Sequence, residues 1–459
     1  MTKKLWILSE ERPKKAAIGF ILEKFSRELQ ISSFIDKLRI VPLHNDKGDF
    51  CFWYEVIGFK TPQVGQVLLK IIKGNSSFVD FLVFFQESEP SPGDRPLFMV
   101  EETKTDDKES RNTGVYQRAS KFVYAALHYP NMDLNMFYNL QVKQRSSQSD
   151  TNIFGTRCLR TLGVNIFGKV IDDKLNQPFA NLSEMISFKS AMRRAHAGNV
   201  PLEMSIVGEE LQVSGRLFKD NGLKHDPNIG ALALIGATAR KLGWSGDIVV
   251  TRHGLKQAHV QPSNKFVRIA NAINMSLDGL TMPASTLEHP YWSYNTTGEK
   301  LATIFVHLVV DEFTNGLSIF ENHAGSEKGY FITPKKTYLA LEKYVPGVRP
   351  RKSIDIPDLI LLDPDRKQIL NIEGKTYDNM ELGIATLKNY GDIEHLYIEK
   401  YYPGFKILRS VVLYGSKNKE VHEIEVSFLL NDEGKMILGI KATALFREAF
   451  KNLKDYWSK

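Results

Sequence analysis

Two carboxylates and a lysine lie close together in the last third of the sequence. Asp358 stands at the start of one predicted strand, and Glu373 and Lys375 lie on the next. Because side chains alternate between the faces of a strand, Glu373 and Lys375 should point the same way, with Asp358 beside them. Carboxylate oxygens suit Mg²⁺, which acidifies a bound water and stabilises a phosphate under in-line attack. The pattern therefore predicts metal-assisted phosphodiester chemistry, with Lys375 orienting or activating the water.

A simpler interpretation of the same residues is a surface hairpin with an ordinary salt bridge between Glu373 and Lys375. Short motifs of this kind also arise by chance. The order of the surrounding elements favours the chemical interpretation over the simpler one.

The elements around these residues follow a defined order. Ser353 to Lys375 predicts two strands joined by a polar turn. Thr337 to Tyr344 predicts a helix before them, Asn379 to Asn389 predicts a helix after them, and Lys406 to Tyr414 predicts a further strand. The predicted order is helix, strand, strand, helix, strand.

This segment resembles the PD-(D/E)xK nuclease superfamily, whose motif is matched by Pro357-Asp358 and Glu373-Gly374-Lys375. The resemblance implies that Asp358 and Glu373 hold Mg²⁺ and that Lys375 attends the attacking water. Family members often carry another acidic residue on the preceding helix, and Glu342 is the candidate for that position here.

The same order of elements is predicted near the N-terminus. Its members are a helix from Thr61 to Lys73, strands at Ser77 to Phe85 and Leu97 to Lys104, a helix at Thr113 to His128, and a strand at Leu134 to Val142. Asp80 interrupts the first strand, where burying an unpaired charge is costly. A metal site with Glu102 and Lys104 explains it, and an Asp80–Lys104 ion pair is the alternative.

The N-terminal copy departs from the family motif in three ways. Val79 replaces the usual proline, the spacing from aspartate to glutamate is longer, and Glu101 offers an alternative acid. On the following helix Gln117 is predicted to face DNA, and Arg118 and Lys121 are predicted to face either phosphate or solvent.

The region between the two copies is basic and predicts contacts with the DNA backbone or grooves. The predicted contact residues are Arg193, Arg194, Arg252, Lys256, Lys265 and Arg268. His253 and His259 lack metal-ligand spacing and predict a polar pocket or a backbone contact rather than catalysis.

Composition limits the class of protein. The chain has 459 residues and a net charge of +7, which suits a polyanionic partner without identifying one. It has two cysteines, Cys51 and Cys158, and no predicted signal peptide or membrane span, which favours a cytoplasmic protein without a disulfide framework.

The sequence as a whole predicts a mixed α/β fold with two αββαβ cores. The predicted domains are an N-terminal nuclease-like domain (1–150), a DNA-recognition region (151–285) and a C-terminal nuclease domain (286–459). The chain looks like a type IIS restriction endonuclease with two unlike sites, one per strand, acting with Mg²⁺ on double-stranded DNA. A homodimer or a second nuclease subunit is a possible partner under this interpretation.

Besides a repair or transposon nuclease that shares the fold, two alternatives remain open from the sequence. In the first, only the C-terminal site cuts, and the N-terminal copy is degenerate. In the second, the chain is a non-catalytic basic nucleic-acid-binding protein.

Overall fold

A computed structural model describes most of the chain, in fourteen ranges. These are residues 2–29, 38–59, 64–72, 79–91, 93–103, 114–139, 148–168, 172–192, 202–219, 222–223, 228–287, 298–323, 329–415 and 419–459. Lys104, Arg193 and Arg194 lie outside them, so the predictions for these three residues stay predictions. Within these ranges the protein is a mixed α+β structure with several sheets.

The helices are distributed along the whole chain. They are α1 (Lys15–Leu29), α2 (Gly114–His128), α3 (Asp150–Thr161), α4 (Leu182–Ala191), α5 (Asn228–Lys241), α6 (Lys265–Ala272), α7 (Gly298–Phe313), α8 (Met380–Leu387), α9 (Gly391–Ile393) and α10 (Ala444–Trp457). Short 3₁₀ turns cover Gln257–His259, Tyr377–Asn379 and Lys388–Tyr390, and a π-helical turn covers Glu394–Glu399. None of the helices in the described ranges is long and apolar enough to cross a membrane.

The strands up to residue 223 are β1 (Lys4–Ser9), β2 (Arg39–His44), β3 (Phe50–Ile57), β4 (Val67–Ile71), β5 (Phe81–Gln86), β6 (Phe98–Thr103), β7 (Asp133–Tyr138), β8 (Val164–Phe167), β9 (Glu203–Val207), β10 (Glu210–Ser214), β11 (Phe218–Lys219) and β12 (Gly222–Leu223). The remaining strands are β13 (Asp247–Thr251), β14 (Met275–Leu277), β15 (Leu317–Glu321), β16 (Tyr330–Ile332), β17 (Tyr338–Ala340), β18 (Leu359–Asp363), β19 (Gln368–Thr376), β20 (Lys406–Tyr414), β21 (Val426–Leu430) and β22 (Met436–Leu438).

The chain forms two compact units. Unit 1 contains residues 1–73, 86–89 and 293–459, and unit 2 contains residues 74–85 and 90–292. These units cut across the predicted domain boundaries, because residues 1–73 belong with the C-terminal region and residues 90–150 belong with the middle region.

Unit 1 is built around a six-stranded sheet. Its strand order is β15-β18-β19-β20-β21-β22, with β19 and β20 parallel and β18 and β19 antiparallel. The strands β18 and β20 are almost continuous runs of Val, Ile and Leu at their buried parts, as expected for sheet interiors covered on both faces. Helices α7 and α8 both pack on β19 and β20. A second set of strands in this unit has the order β2-β3-β4-β1.

Unit 2 contains the run β5-β6-β7-β8 and a separate sheet of order β14-β13-β10-β9. Strands β5 and β6 are antiparallel, whereas β6 pairs with β7 in parallel. Helix α5 is buried along nearly its whole length and packs against α2 and α3, so it forms the centre of the unit.

Two predicted helices are wrong. The described part of Thr61 to Lys73 contains strand β4, which pairs with β1 and β3 and therefore needs an extended backbone. Thr337 to Tyr344 contains strand β17, which forms a hairpin with β16. In both segments the apolar residues fit a helix as well as a strand, and tertiary strand pairing decides between them.

Candidate active site

The register of two neighbouring strands brings Asp358 and Glu373 together in unit 1. Leu359 pairs with Ile372 across β18 and β19, so the residues that flank them, Asp358 and Glu373, lie side by side. The carboxylate of Asp358 is anchored there, because its Oδ2 accepts a hydrogen bond of 2.8 Å from the backbone N–H of Gly374. The two acids therefore meet where β18 begins.

Lys375 completes this group from the same face of β19. Its Nζ donates to Glu373 Oε1 at 2.6 Å and to the carbonyl oxygen of Gly374 at 3.0 Å. The structure thus brings together Asp358, Glu373 and Lys375, the three residues that the sequence pattern places at one end of the sheet.

Tyr390 is a further member of the site, and the sequence pattern did not predict it there. It follows α8 in a 3₁₀ turn, is fully buried, and its hydroxyl donates to Glu373 Oε2. Burial, followed by the charge of Glu373, raises the pKa of Tyr390, so the hydroxyl stays protonated and remains a donor. Glu373 is therefore held at both oxygens, by Lys375 and by Tyr390.

Glu299, in the first turn of α7, is the acidic residue on the helix that precedes the strands. Its charge contributes to raising the pKa of Asp358, and its backbone oxygen lies 3.2 Å from the point where a Cβ on Gly374 would lie. The prediction of Glu342 for this role is wrong. Glu342 lies outside any helix, and its backbone N–H donates to the hydroxyl of Tyr397.

Burial and an excess of carboxylates together determine the electrostatics of this cluster. Burial, and then the charge of Glu373, raises the pKa of Asp358 to about 7. Burial lowers the pKa of Lys375, but the hydrogen bond and charge of Glu373 outweigh that effect and the net shift is upward. Among the described residues, three carboxylates, those of Glu299, Asp358 and Glu373, share the ammonium group of Lys375. This donor set fits a divalent cation with a preference for oxygen ligands.

Unit 2 contains a related cluster, with one residue different from the prediction. Glu101, and not Glu102, shares a site with Asp80: the backbone N–H of Asp80 donates to Glu101 Oε2 at 3.3 Å. The backbone N–H of Glu102 donates to Asp80 Oδ2 at 2.6 Å, which repeats the arrangement of Gly374 and Asp358. The Glu102 side chain instead accepts a hydrogen bond from Asn139.

Among the described residues, the ammonium group near this second cluster comes from a helix. Lys121 on α2 lies 3.0 Å from Glu101 Oε1 and 3.9 Å from Asp80 Oδ1. Thr103, two residues after Glu101, stands where Lys375 stands relative to Glu373, and it is buried. Lys121 therefore supplies a positive charge to this cluster, and the prediction for Lys104 stays a prediction.

The two clusters differ in their charge balance. Glu101 and Asp80 face two cations, because Arg118 Nε also lies 3.7 Å from Glu101 Oε1. Burial, and then the charge of Asp80, raises the pKa of Glu101 to about 8. The described residues of the unit 2 cluster are thus closer to neutral than those around Asp358, and their need for a metal ion is smaller.

The predicted DNA-contact residues have mixed surroundings. Gln117, Arg252 and Lys256 are exposed, and Arg252 has a loose ion pair of 3.5 Å with Glu203. Arg268 is half-buried, with its Nε donating to the carbonyl oxygen of Pro262. Lys265 is only 8% exposed, which removes it from the set that a phosphate backbone can reach.

The two histidines of the middle region have structural roles. Both ring nitrogens of His253 are engaged, with the carbonyl oxygen of Asp278 at 2.8 Å and the backbone N–H of Leu255 at 2.9 Å. His259 accepts from the backbone N–H of Lys256 and stacks on Phe218. Neither arrangement leaves a catalytic base.

Comparisons of the chain with protein-family models, with curated proteins and with solved structures found no match.

Proposed function

We propose that the protein is a Mg²⁺-dependent endonuclease that hydrolyses phosphodiester bonds of double-stranded DNA at the cluster of Asp358, Glu373 and Lys375. The observation that carries the proposal is the convergence of these side chains in one partly buried site whose carboxylates outnumber its cations. Such a site is costly for a folded protein unless a cation is bound there.

The residues of this site have separable roles in the proposed reaction. Asp358 and Glu373 would hold the Mg²⁺, which supplies an acidified water and stabilises charge on the phosphate. Lys375 stays protonated because its pKa is raised, so it acts as a hydrogen-bond donor to the water or to a phosphate oxygen and does not remove a proton. Tyr390 fixes the Glu373 carboxylate.

The substrate assignment rests on charge and on the resemblance to restriction nucleases. The net charge of +7 suits a polyanion, and Gln117, Arg252 and Lys256 are exposed for contact with DNA. Type IIS cleavage near an asymmetric sequence, 5′-phosphate ends, and a homodimer or a second subunit belong to this proposal as expectations of the resemblance.

A single-site enzyme is the second candidate, and the charge balance of the unit 2 cluster favours it. Lys121 and Arg118 together compensate Asp80 and Glu101. An ion-pair cluster of this kind is stable without a metal, so the N-terminal copy can serve as a binding or structural element while only Asp358 and Glu373 support cleavage.

Digestion of a sequenced supercoiled plasmid tests the proposal. The wild-type protein should linearise or fragment the DNA in Mg²⁺ and leave it intact in EDTA. Loss of a residue that merely supports a metal ligand lowers activity by up to about 100-fold. Asp358 is a proposed ligand itself, so Asp358→Asn should lower the cleavage rate by more than this. Asp455→Asn, which changes an exposed carboxylate on α10, is the matched control and should cut normally.

Asp80→Asn separates the two candidate functions. If both clusters cut, Asp80→Asn and Asp358→Asn should each nick a different strand, as mapped by sequencing both ends. Unchanged double-strand cleavage by Asp80→Asn would leave the single-site enzyme. Supercoiled DNA that persists with wild-type protein in both Mg²⁺ and EDTA would leave a nucleic-acid-binding protein without nuclease activity.

A further inference from the structure

A separate group of metal-ligating side chains lies in unit 1 on α7 and around the end of β15. His307 comes from the middle of α7, Glu321 is the last residue of β15, and His323 follows two residues later. One donor atom from each lies within 4.8 Å of the other two. His307 is fully buried, so its ring nitrogens must find partners inside the protein.

The outer nitrogen of each histidine ring faces an acceptor. His323 Nδ1 lies 3.2 Å from Thr303 Oγ1. The Thr303 hydroxyl already has backbone acceptors, the carbonyl oxygens of Glu299 and Lys300, each at 3.1 Å. Thr303 Oγ1 therefore accepts from His323, which places a proton on His323 Nδ1. His307 Nε2 lies 3.3 Å from the Asp311 carboxylate, which favours a proton there.

In these tautomers of the neutral rings, the inner nitrogens face each other without a proton between them. His307 Nδ1 and His323 Nε2 are 2.9 Å apart, and both carry lone pairs when the rings are neutral. Two lone pairs at this distance repel each other unless a proton or a metal ion lies between them.

We propose that His307 Nδ1, His323 Nε2 and Glu321 Oε2 form a site for a divalent transition metal, with Zn²⁺ as the expected ion. Zn²⁺ at its usual bond lengths separates two tetrahedral ligand atoms by about 3.3 Å. The observed separations are 2.9 Å between the two nitrogens and 3.6 Å from His307 Nδ1 to Glu321 Oε2. The rings need to part by only a few tenths of an ångström.

Several features favour this class of ion over Mg²⁺. Two imidazoles suit zinc and its neighbours in the transition series, whereas Mg²⁺ prefers oxygen donors. Thr303 holds the outer nitrogen of His323, and the Asp311 carboxylate lies 3.3 Å from that of His307, where supporting residues of metal-bound histidines commonly lie. The three protein ligands leave a fourth position for water.

Arg12 and Lys14 compete with a metal for Glu321. Arg12 Nε donates to Glu321 Oε2 at 2.7 Å, and Lys14 Nζ lies 3.1 Å from Oε1. Arg12 also bonds Asp311, so it has a carboxylate partner when a metal takes Glu321 Oε2. This competition predicts moderate rather than very tight affinity.

The position of the proposed site suggests a supporting role rather than catalysis. Thr303, which holds His323, also packs against Gly374 between Glu373 and Lys375. The backbone N–H of Asn322, between Glu321 and His323, donates to the carbonyl oxygen of Asp358 at 2.7 Å. A metal here would fasten α7 to the end of β15 beside the candidate active site, whether or not that site cuts DNA.

Titration of metal-stripped protein with Co²⁺ tests the inference without any activity assay. The titration uses the Asp358→Asn protein, so that Co²⁺ binding at the Asp358 and Glu373 carboxylates does not add to the signal. We expect one Co²⁺ per chain with the visible absorption of a four-coordinate ion, displaced by Zn²⁺ and unaffected by excess Mg²⁺. Saturating Zn²⁺ should raise the melting temperature by at least about 2 °C.

Substitutions locate the ion and provide the control. His323→Gln and Glu321→Gln should each weaken Co²⁺ binding at least about 10-fold, on the scale of ligand-shell changes. His395→Ala, which removes an exposed histidine of the same unit, should bind as the parent does. If the Asp358→Asn protein with all three proposed ligands intact shows no absorption from one bound Co²⁺ per chain, the inference is overturned. That measurement does not depend on the folding of any ligand variant. The inference is also overturned if the His323→Gln and Glu321→Gln proteins both fold and both bind Co²⁺ as tightly as before.

Discussion

The charge on Asp358 should govern the pH dependence of the Mg²⁺-free protein. An aspartate in the unfolded chain releases its proton near pH 4, whereas the folded protein holds it to about pH 7. Between these values the folded state binds more protons, so the free energy of unfolding should fall as the pH rises. One group contributes at most about 1.4 kcal/mol per pH unit.

Urea unfolding in EDTA between pH 5 and pH 7 measures this effect. Asp358→Asn cannot titrate at that position, so its stability should depend less steeply on pH than that of the wild type. Glu101, whose pKa is raised to about 8, titrates in both proteins and cancels in the comparison. Equal slopes for the two proteins would contradict the raised pKa.

The residues of the candidate site were predictable to different degrees. Glu373 and Lys375 follow from strand alternation, and Asp358 follows from an adjacent strand of the same hairpin. Tyr390 and Glu299 come from outside the hairpin, and the sequence contains no signal for how those segments pack on it. Their roles therefore emerge only from the tertiary structure.

The N-terminal cluster shows why register is difficult to predict. Glu101 and Glu102 are adjacent acids on β6, and a shift of one residue exchanges the faces on which they lie. Hydrogen bonds to the backbone of Asp80 and to Asn139 distinguish them in the structure. Lys121 lies on α2, the helix that follows β6 in the sequence. Its contact with Glu101 therefore could not be predicted from the spacing of residues along a strand.

Among elements, the contact between α7 and β19 depends on the absence of a side chain at Gly374. A Cβ there would lie 2.6 Å from Thr303 Cγ2 and 3.2 Å from Asp358 Oδ2. Gly374→Ala should therefore push α7 away from the strand, destabilise the protein by about 1–3 kcal/mol and reduce any cleavage activity.

Gly391→Ala is the matched control, because a Cβ at Gly391 meets no atom of the described structure within 4 Å. It should be neutral or slightly stabilising, since alanine restricts the unfolded chain. Thermal and urea unfolding of the two variants measure the difference. A Gly374→Ala protein as stable as Gly391→Ala would show that α7 and β19 do not pack this closely.

The elements themselves were predicted best where one periodicity was unambiguous. Strand β20 matches the predicted Lys406 to Tyr414, and α2 matches Thr113 to His128 within one residue. The failures, β4 and β17, are short segments, of which β4 pairs with the distant β1 and β17 pairs with the neighbouring β16. Local pattern alone does not reveal such partners.

At the scale of the whole molecule, unit 1 is assembled from segments far apart in sequence. Arg12 bonds Asp311 and Glu321, and the indole N–H of Trp457 donates to the carbonyl oxygen of Pro42. The predicted domain 286–459 lacks residues 1–73 and so loses these contacts and the apolar surface behind them.

A fragment of residues 286–459 should therefore fail to unfold cooperatively, whereas the full chain should show a cooperative transition. Circular dichroism during heating measures this. Adding residues 1–73 as a second polypeptide is the control and should restore part of the transition. A sharp transition in the isolated fragment would show that this segment folds without the first 73 residues.

The discontinuity of unit 1 also bears on the order in which the protein matures on the ribosome. All segments of unit 2 have been translated by residue 292, whereas unit 1 also needs α10, which packs on α7. Nascent chains that stall before α10 therefore lack a finished Asp358 cluster. Translation itself would therefore postpone the proposed DNA cutting until α10 has been made.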